Sequence, residues 1–238
     1  MNTKTRLRIG VIGAMHLECE FFRERLNEAE HSQYLDIKVT HGKWAGHAVC
    51  LLESGIGKVN ATLATEWLAR DFKPDLIINT GSAGGIKAGA QVGDFVFADQ
   101  VCHHDVDVSP IGFEFGELPR LPVYYAVKPH WLALLDQVAT QLNDSHHVGT
   151  IATGESFIYR DHQVSQIQQR FKQVIACEME AAAVAQVCHL HSIDFLILRN
   201  LSDVAGEEAQ TSFNQYIDQA GRKSTELVLG LIDQINSD

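Results

Sequence analysis

Hydrophobic residues in this chain form short continuous runs that alternate with stretches of helical spacing. Short apolar runs bounded by glycine or proline are typical of buried strands, whereas apolar residues three or four positions apart are typical of amphipathic helices. Predicted strands cover residues 8–15, 37–39, 47–53, 75–79, 92–101, 148–153, 173–177 and 194–198. Predicted helices cover residues 17–29, 59–72, 129–142, 181–189 and 213–235. Because strands and helices alternate over 238 residues without a linker, we expect an α/β fold in a single domain spanning 1–238.

Two carboxylates stand where one predicted strand ends and a helix begins. The apolar run 173–177 ends in Glu178, Met179 and Glu180, and an alanine-rich stretch follows at once. Free N–H groups at a helix N-terminus favour a charged carboxylate by roughly 0.3–1 kcal/mol. We therefore expect Glu180 to be ionised and to accept hydrogen bonds. An ordinary acidic first helical turn also explains an isolated Glu-x-Glu, so a function has to rest on further residues.

Three acidic residues follow three separate predicted strands. Glu18 follows the first strand, Glu180 follows the strand 173–177, and Asp203 follows the strand 194–198. In a parallel or mixed α/β sheet the carboxyl ends of the strands lie along one edge, where such folds place their sites. We expect the three acids to share one crevice. Acid and base chemistry on a neutral or cationic ligand with a ring and a sugar suits such a site.

Three glycine-containing segments also follow predicted strands. The segment 54–58 fails the P-loop and dinucleotide patterns, which leaves a turn close to a ligand or a simple strand-to-helix turn. The segment 80–85 carries Ser82 among glycines, which lets backbone and hydroxyl approach a small ligand. After Gly154, Ile158 stands where a nucleophile elbow requires glycine, so an acyl-enzyme serine is not expected. Phe157 suits stacking on a flat ring instead.

Charge and cysteine content exclude several classes of partner. Nineteen Lys and Arg against 30 Asp and Glu give a net charge of -11, which argues against nucleic acid or an anionic membrane as partner. Five scattered cysteines indicate neither a disulfide framework nor a CxxC metal or redox site. The apolar run 9–15 is too short for a secretion signal or a membrane span, so we expect a cytoplasmic protein.

Two further segments raise separate questions. Adjacent side chains in His103, His104 and Asp105 point apart and no matching ligand pattern lies elsewhere, so we expect no metal site. The stretch 105–122 is rich in apolar and proline residues without a helix or strand period. It is predicted to be a loop that covers either a ligand pocket or another subunit.

Taken together, these motifs carry a specific resemblance along nearly the whole chain. The chain resembles the 5′-methylthioadenosine/S-adenosylhomocysteine nucleosidases of the nucleoside phosphorylase superfamily. The segments that match are 9–15 with Glu18, 54–59, 79–85, 92–94, 104–108, 154 with 157–158, 178–181 and 202–205. The resemblance implies a central mixed twisted sheet flanked by helices, a homodimer, no metal or other cofactor, and irreversible hydrolysis of the adenine N-glycosidic bond. It also implies a role in methionine salvage and in removal of S-adenosylmethionine by-products.

The resemblance further implies roles for individual residues. Asp203 corresponds to the general acid at adenine N7, oriented by Ser202, and Glu18 to the base that activates water. Glu180 would hold the ribose hydroxyls, Met179 would pack on the sugar, and Ser82 would lie near the ribose and the water. Phe157 would stack on adenine, and the backbone of Ile158 would read the edge of the base. Ile56 and Phe213 would line the 5′-alkylthio pocket with Val108, Ile111 and Pro119 of the other subunit, and Met15, Gly84 and Glu178 complete the expected substrate-binding set.

Some positions depart from the family pattern. His16 and Leu17 replace acidic residues, Ile111 replaces an aromatic residue, and Asn200 replaces a small one. The change at Ile111 leaves the preferred 5′-group open among methylthioadenosine, S-adenosylhomocysteine and 6-amino-6-deoxyfutalosine. Two alternatives also stay open: a phosphorylase of the same superfamily, and a nucleoside-binding sensor without catalysis. Glu18 disfavours the first because it would repel phosphate, and the second leaves three acids at strand ends unexplained.

Overall fold

The computed structural model describes residues 6–204 and 209–235, and the side chains of 209–212 fall outside this description. Its strands are β1 (Arg8–Gly13), β2 (Asn27–Tyr34), β3 (Ile37–Trp44), β4 (His47–Glu53), β5 (Leu76–Asn79), β6 (Ser82–Gly85), β7 (Phe95–His103), β8 (Tyr124–Ala126), β9 (His146–Thr153), β10 (Val174–Glu178) and β11 (Asp194–Val204). Its α-helices are α1 (His16–Arg25), α2 (Lys58–Trp67), α3 (Pro129–Leu142), α4 (Asp161–Arg170), α5 (Ala181–His191) and α6 (Ala209–Gln234). A π-helical turn, Leu68–Phe72, extends α2, and a short 3-10 helix covers Ser109–Ile111.

The strands form one mixed sheet in the order β2-β3-β4-β1-β5-β11-β6-β10-β9-β7-β8. Strands β4, β1, β5 and β11 run parallel, as do β10, β9 and β7. The outer hairpin β2–β3 and the pairs β6–β10 and β7–β8 are antiparallel. The mixed α/β sheet expected from the resemblance is therefore confirmed.

Strand β11 joins the two halves of the sheet. Its first residues, Asp194 to Ile197, pair with β5, and its last, Asn200 to Val204, pair with β6. Between them Leu198 to Asn200 pair with β7 as well. A strand buried on both sides reads as a continuous apolar run, and β11 is buried from Phe195 to Asp203. Asp203 is consequently carried into the centre of the sheet.

Small side chains bring α5 close to the sheet. All five residues from Ala181 to Ala185 are buried, and four of them are alanine. Because alanine adds little volume, the start of the helix can approach β10 and β11 closely. The strand-to-helix junction at Glu178 and Glu180 is confirmed by β10 and α5.

Three predicted boundaries are wrong for physical reasons. The first helix ends at Arg25 instead of residue 29, and Asn27–Tyr34 is a strand. Every residue of that strand is exposed, so it lacks the hydrophobic alternation that marks a strand in sequence. The glycine-rich Ser82–Gly85 forms a paired strand rather than a turn. Strand β11 runs to Val204, so Asp203 lies within the strand instead of after it.

Several shorter elements had no clear sequence signal. Helix α4 and the three-residue β8 were not predicted. All five cysteines are free and buried, as expected for small core residues. Within the described residues no helix combines the length and apolar character needed to cross a membrane.

Candidate active site

A cleft opens at the carboxyl ends of the parallel strands β1 and β5 and beside the last residues of β10 and β11, which run in opposite directions. Its cavity volume is about 90 Å³, and it is continuous with solvent. Its lining residues are Ala14, Met15, Glu18, Ile56, Thr80, Gly81, Ser82, Ala83, Gly84, Phe157, Cys177, Glu178, Met179, Glu180, Arg199, Ser202, Asp203 and Phe213. A smaller hollow of about 30 Å³ adjoins it and adds Ser156 and Ile158 to the lining. Glu18, Glu180 and Asp203 therefore share one crevice, as the strand-end argument predicted.

Glu18 is held in place by four hydrogen-bond donors. It is the third residue of α1, and only 4% of its surface is exposed. The backbone N–H groups of Ala14 and Met15 donate to Oε2 at 3.1 and 3.0 Å. Ser82 donates to Oε1 twice, from its N–H at 2.8 Å and its hydroxyl at 2.9 Å. A carboxylate can accept all four of these hydrogen bonds, which fix the position of both its oxygens.

The turn before Ser82 requires glycine. Gly81 has a φ of +151°, and a Cβ on it would lie 2.8 Å from Oε1 of Glu18. A side chain at this position would therefore displace the carboxylate from the hydroxyl and N–H of Ser82. Ser82, expected near the ribose and the water, contacts Glu18 directly through this turn.

A buried ion pair lies behind the cleft. Arg199 is 1% exposed and donates to Oε2 of Glu178 at 2.5 Å and to Oδ1 of Asn79 at 2.6 Å. The N–H groups of Glu180 and Ala181 also donate to Oε2 of Glu178, at 2.9 and 2.8 Å, and Thr153 donates to its other oxygen. The carboxylate of Glu178 therefore accepts its hydrogen bonds from protein groups. Glu178 lines the cleft, and these contacts hold the residues at the floor of the cleft in place.

Glu180 lies between this ion pair and the glycine turn that precedes α2. The N–H of Gly57 donates to its Oε1 at 2.7 Å, and Arg199 approaches its Oε2 to 4.0 Å. Burial and the neighbouring Glu178 raise the pKa of Glu180 to about 8, against the opposing influence of Arg199. The direction of this shift is opposite to the expectation of an ionised Glu180. Burial beside a second carboxylate opposes the charged form of Glu180 more strongly than the helix N-terminus favours it.

Asp203 has a different environment. Its side chain is 0% exposed, and the hydroxyl of Ser202 donates to its Oδ1 at 2.9 Å. Its Oδ2 has no hydrogen-bond partner among the described residues. Burial raises the pKa of Asp203 to about 6, and the Ser202 hydrogen bond opposes that rise. A buried carboxyl oxygen without a partner is costly unless it is protonated or meets a ligand.

The outer wall of the cleft is aromatic and apolar. Phe157 is 41% exposed, and its ring lies 5.9 Å from that of Phe213 at an interplanar angle of 78°. Ile56 is 52% exposed at the mouth, and Ile158 is buried in the adjoining hollow. An exposed aromatic ring beside buried carboxyls can stack on a flat ring while the carboxyls reach its polar edge.

The segment 105–122 does not line this cleft. Val108, Ile111 and Pro119 are absent from its lining, and Ile111 is 70% exposed. Their expected role depends on a second subunit. Among the described side chains, no group of three or more His, Cys, Asp or Glu could hold a metal ion.

Six of the lining residues were assigned no role from the sequence: Ala14, Thr80, Gly81, Ala83, Cys177 and Arg199. Arg199 had a detectable signal, because it directly follows the apolar run 195–198, and a cation buried with that run has to be paired. Thr80 and Cys177 resemble ordinary small core residues in sequence, and only the fold places them at the cleft.

Comparison with known proteins agrees with this geometry. Residues 8–233 match the family model described as the phosphorylase superfamily. The 5′-methylthioadenosine/S-adenosylhomocysteine nucleosidase of Bacillus subtilis (strain 168) is 44% identical over 231 residues, 97% of this chain and 100% of that protein. The structure of the corresponding nucleosidase from Colwellia psychrerythraea 34H in complex with adenine has a TM-score of 0.94 at 36% identity and covers 98% of each chain.

A second similar structure is that of a protein with a different name. A futalosine hydrolase mutant of Helicobacter pylori strain 26695 has a TM-score of 0.92 at 27% identity, covering 97% of this chain and 100% of that one. The higher identity lies with the nucleosidase, and over almost the full length of both chains. This chain belongs to the phosphorylase superfamily and, within it, to the family of 5′-methylthioadenosine/S-adenosylhomocysteine nucleosidases.

Proposed function

We propose that this enzyme hydrolyses the adenine N-glycosidic bond of 5′-methylthioadenosine and S-adenosylhomocysteine, with Asp203 as general acid and Glu18 as general base. The products are adenine and the 5-thioribose. Family membership supports the reaction. The observation that carries the residue roles is the contrast between two buried carboxyls, one with four donors and one with an oxygen that lacks a partner among the described residues.

The acid has to make adenine a better leaving group. Because burial raises the pKa of Asp203 to about 6, a protonated carboxyl is available at a much higher pH than for an exposed aspartate. Its Oδ2 is the oxygen without a described partner, and we assign it the proton that is given to adenine N7. Ser202 holds Oδ1 and thereby fixes the direction in which Oδ2 points.

The base activates water on the other side of the scissile bond. The carboxylate of Glu18, held by four donors, accepts a proton from water as the water attacks the sugar. Cleavage by one acid and one base that activates water follows the logic of inverting glycoside hydrolysis. The proton from water ends on Glu18, and the proton of Asp203 ends on adenine.

The remaining lining residues position the nucleoside. Glu180 is assigned to the ribose hydroxyls, and its raised pKa allows a neutral carboxyl to donate one hydrogen bond and accept another. Met179 packs on the sugar. Phe157 stacks on adenine beside the hollow that contains Ile158, whose backbone reads the edge of the base. Ile56 and Phe213 contact the 5′-substituent at the mouth.

We assign the rest of the 5′-pocket to a second copy of the chain. Ile111 is 70% exposed, and Val59 at the start of α2 is 71% exposed. Lys58, which precedes Val59, forms an ion pair with Asp105 at the start of segment 105–122. In a two-fold dimer each chain would donate Val108, Ile111 and Pro119 to the other chain's cleft. The free thiols fit a reducing compartment, and the proposal places the enzyme in the cytoplasm.

A second substrate follows from the similarity to futalosine hydrolase. The cleft is open to solvent at Ile56, so a nucleoside with a larger 5′-group, such as 6-amino-6-deoxyfutalosine, is the second candidate. Specificity constants on this nucleoside, methylthioadenosine and S-adenosylhomocysteine, measured side by side, rank the three.

Adenine release tests the reaction itself. Purified enzyme is incubated with methylthioadenosine, release of adenine is followed by absorbance, and the sugar product is identified with and without inorganic phosphate. We expect the same rate in both cases and a free 5-methylthioribose. A rate that depends on phosphate, or a phosphorylated sugar, would establish a phosphorylase. Binding without release would establish a sensor. The phosphorylase is disfavoured because the guanidinium of Arg199 is already bound by Glu178 and Asn79.

A further inference from the structure

Helix α6 touches the start of α1 backbone to backbone. A Cβ built on Gly221 would lie 2.3 Å from the carbonyl oxygen of Leu17, 3.2 Å from its carbonyl carbon and 3.4 Å from the Cα of Glu18. Real Cβ atoms do not approach other heavy atoms to 2.3 Å. The two helices therefore meet at the peptide that joins Leu17 to Glu18, and they can do so only because residue 221 has no side chain.

Gly221 destabilises the helix that contains it. Glycine in a helix interior costs about 1 kcal/mol relative to alanine, and Gly221 lies in the middle of the 26-residue α6. The obstructing atom is part of the backbone, so no change of side-chain rotamer makes room for a methyl group. Accommodating one would move α1 away from α6.

The first turn of α1 is also where Glu18 receives its hydrogen bonds. Ala14 and Met15 donate from the chain just before the helix, and Ser82 donates from β6. The first two donors are covalently close to Leu17, whereas Ser82 belongs to a strand of the sheet. If α1 shifts, Glu18 moves relative to Ser82 and to the cleft, while β6 and Asp203 on β11 stay with the sheet.

We propose that Gly221 is a positioning residue for the hydrolysis: it allows α6 to support the first turn of α1 and so fixes the carboxylate of Glu18 against the attacking water. This inference rests on the proposed role of Glu18 as base. Helix α6 also carries Phe213 at the cleft, eight residues or about 12 Å along the helix axis from Gly221. Helix α6 thus contributes Phe213 to the lining of the cleft and also packs against the turn that carries Glu18.

Gly221→Ala tests the proposal, and Gly230→Ala in the same helix is the matched control. A Cβ on Gly230 would meet only the Cγ1 of Val138, at 3.1 Å, which is the end of a side chain. We expect Gly221→Ala to lower kcat for methylthioadenosine by about 10- to 100-fold, because misplacing a reacting group by around 1 Å costs up to about 100-fold. Adenine affinity, measured by calorimetry, should change less than about twofold, since adenine is held at Asp203 and Phe157. Gly230→Ala should keep the wild-type kcat.

A double-mutant cycle separates positioning from general disruption. In the Glu18→Gln background, Gly221→Ala should produce no further loss in single-turnover rate, because the group that it misplaces is already removed. A full additional loss would overturn the proposal, as would a wild-type kcat in Gly221→Ala when Glu18→Gln is inactive. A fully active Glu18→Gln would instead overturn the base role itself, so the two failures are distinguishable.

A second variant decides the matter if Gly221→Ala does not fold. Arg222 places its guanidinium 3.7 Å from the ring centroid of Phe21 and so joins the exposed side of α6 to α1. Arg222→Ala loosens this contact without inserting an atom between the helices. We expect a two- to fivefold lower kcat with unchanged adenine affinity. An unchanged kcat in this variant, with Gly221→Ala unfolded, would overturn the proposal.

Discussion

The carboxyl groups in this cleft differ in the number of hydrogen-bond donors that surround them. Glu18 accepts four hydrogen bonds, whereas Asp203 accepts one, from Ser202. Glu180 accepts one from Gly57 and lies near a carboxylate that is itself paired with Arg199. The proposed roles of Glu18 as base and Asp203 as acid rest on this difference in hydrogen-bond donors.

Replacing Glu18 by glutamine should remove turnover while leaving ligand binding. The amide keeps the shape of the side chain but cannot take a proton from water, and general base catalysis is worth roughly 10²- to 10⁴-fold. Steady-state kinetics with methylthioadenosine and calorimetry with adenine measure the two effects. Glu20→Gln, at a 40% exposed side chain on the same helix, is the matched control and should keep its activity. A Glu18→Gln enzyme with more than about a tenth of the wild-type kcat would contradict the base role.

Asp203→Asn should stop hydrolysis and stabilise the fold at neutral pH. Burial raises the pKa of this carboxyl from 3.8 to about 6. Between these values the folded chain holds a proton that the unfolded chain has lost, so stability falls as pH rises through this window and the deficit persists above it. The shift corresponds to a deficit on the order of 3 kcal/mol at pH 7.5. Denaturant unfolding at pH 7.5 and pH 4 should therefore show a gain for the variant that is largest at pH 7.5.

Asp71→Asn, at an exposed position, is the control for that measurement and should show little change at either pH. A gain for Asp203→Asn that is equal at both pH values would mean that ionisation of Asp203 does not cost stability. A substrate with a leaving group that departs without protonation at N7 tests the catalytic half. Partial rescue of the variant by that substrate is expected of a general acid.

The sequence identified these acids but not their protonation. Positions after strands predicted that Glu18, Glu180 and Asp203 would meet, and they do. The raised pKa of Glu180 depends on the distance to Glu178 and on burial, which are set by residues far apart in the chain. Arg199 was overlooked because its partners, Glu178 and Asn79, lie 21 and 120 residues away.

At the scale of elements, three connecting segments near the cleft are tied together by Asp105. Lys58 at the start of α2 donates to both oxygens of Asp105, at 2.7 and 2.9 Å. The N–H of Glu155 donates to Oδ2 of Asp105 at 3.0 Å, and Glu155 in turn accepts from the N–H of Lys58 at 2.7 Å. This closed set of contacts fixes Gly57, which donates to Glu180, and the segment that leads to Phe157.

Asp105→Asn should therefore weaken substrate binding more than it slows chemistry. The variant loses the ion pair with Lys58 and leaves the backbone of the two loops less constrained. Partly exposed hydrogen bonds to charged groups are worth about 1–2 kcal/mol, so KM should rise by roughly 5- to 30-fold while kcat falls less. Asp107→Asn is the control, because Asp107 bonds only locally to Ser109 among the described residues. An unchanged KM for Asp105→Asn would show that the loops hold their positions without it.

Helices and strands were predicted correctly where their burial produces a recognisable pattern of apolar residues. Buried β5 and the amphipathic α3 were found at nearly their observed bounds, with α3 covering Pro129–Leu142 as predicted. Strand β2 failed because all its side chains face solvent, and β6 failed because two of its four residues are glycine. Both strands exist through pairing with distant neighbours, β3 for one and β10 and β11 for the other. The sequence of such a strand does not indicate which distant strand will pair with it.

At the scale of the whole molecule, the order of the strands brings the site together. Strand β11 lies between β5 and β6, which follow one another in the chain with only two residues between them. That insertion places Asp203 opposite Gly84 and sets it deep in the sheet. The α/β class was predictable from alternating elements, whereas the mixed sheet was implied only by resemblance to a family and the order of its strands was not predicted.

Ile111→Asp should weaken dimerisation and raise KM for 5′-alkylthio substrates together. Ile111 is 70% exposed in the single chain, and burying it against a second copy would remove its apolar surface from water. A carboxylate there adds the cost of an unpaired buried charge, several kcal/mol in all. Sedimentation velocity and steady-state kinetics test the two effects. Leu190→Asp, at a 64% exposed leucine on α5, is the control. A variant that stays dimeric with unchanged KM would rule out a pocket completed by the second chain.

The five buried cysteines give this fold a set of internal reporters. Cys19, Cys50, Cys102, Cys177 and Cys188 belong to five different elements, α1, β4, β7, β10 and α5. Burial raises the pKa of each thiol, and only an exposed thiolate reacts with an alkylating reagent. The alkylation rate of each cysteine, read by mass spectrometry, therefore measures how often its element opens to solvent. Adenine should slow alkylation of Cys177, which lines the cleft, more than that of Cys50.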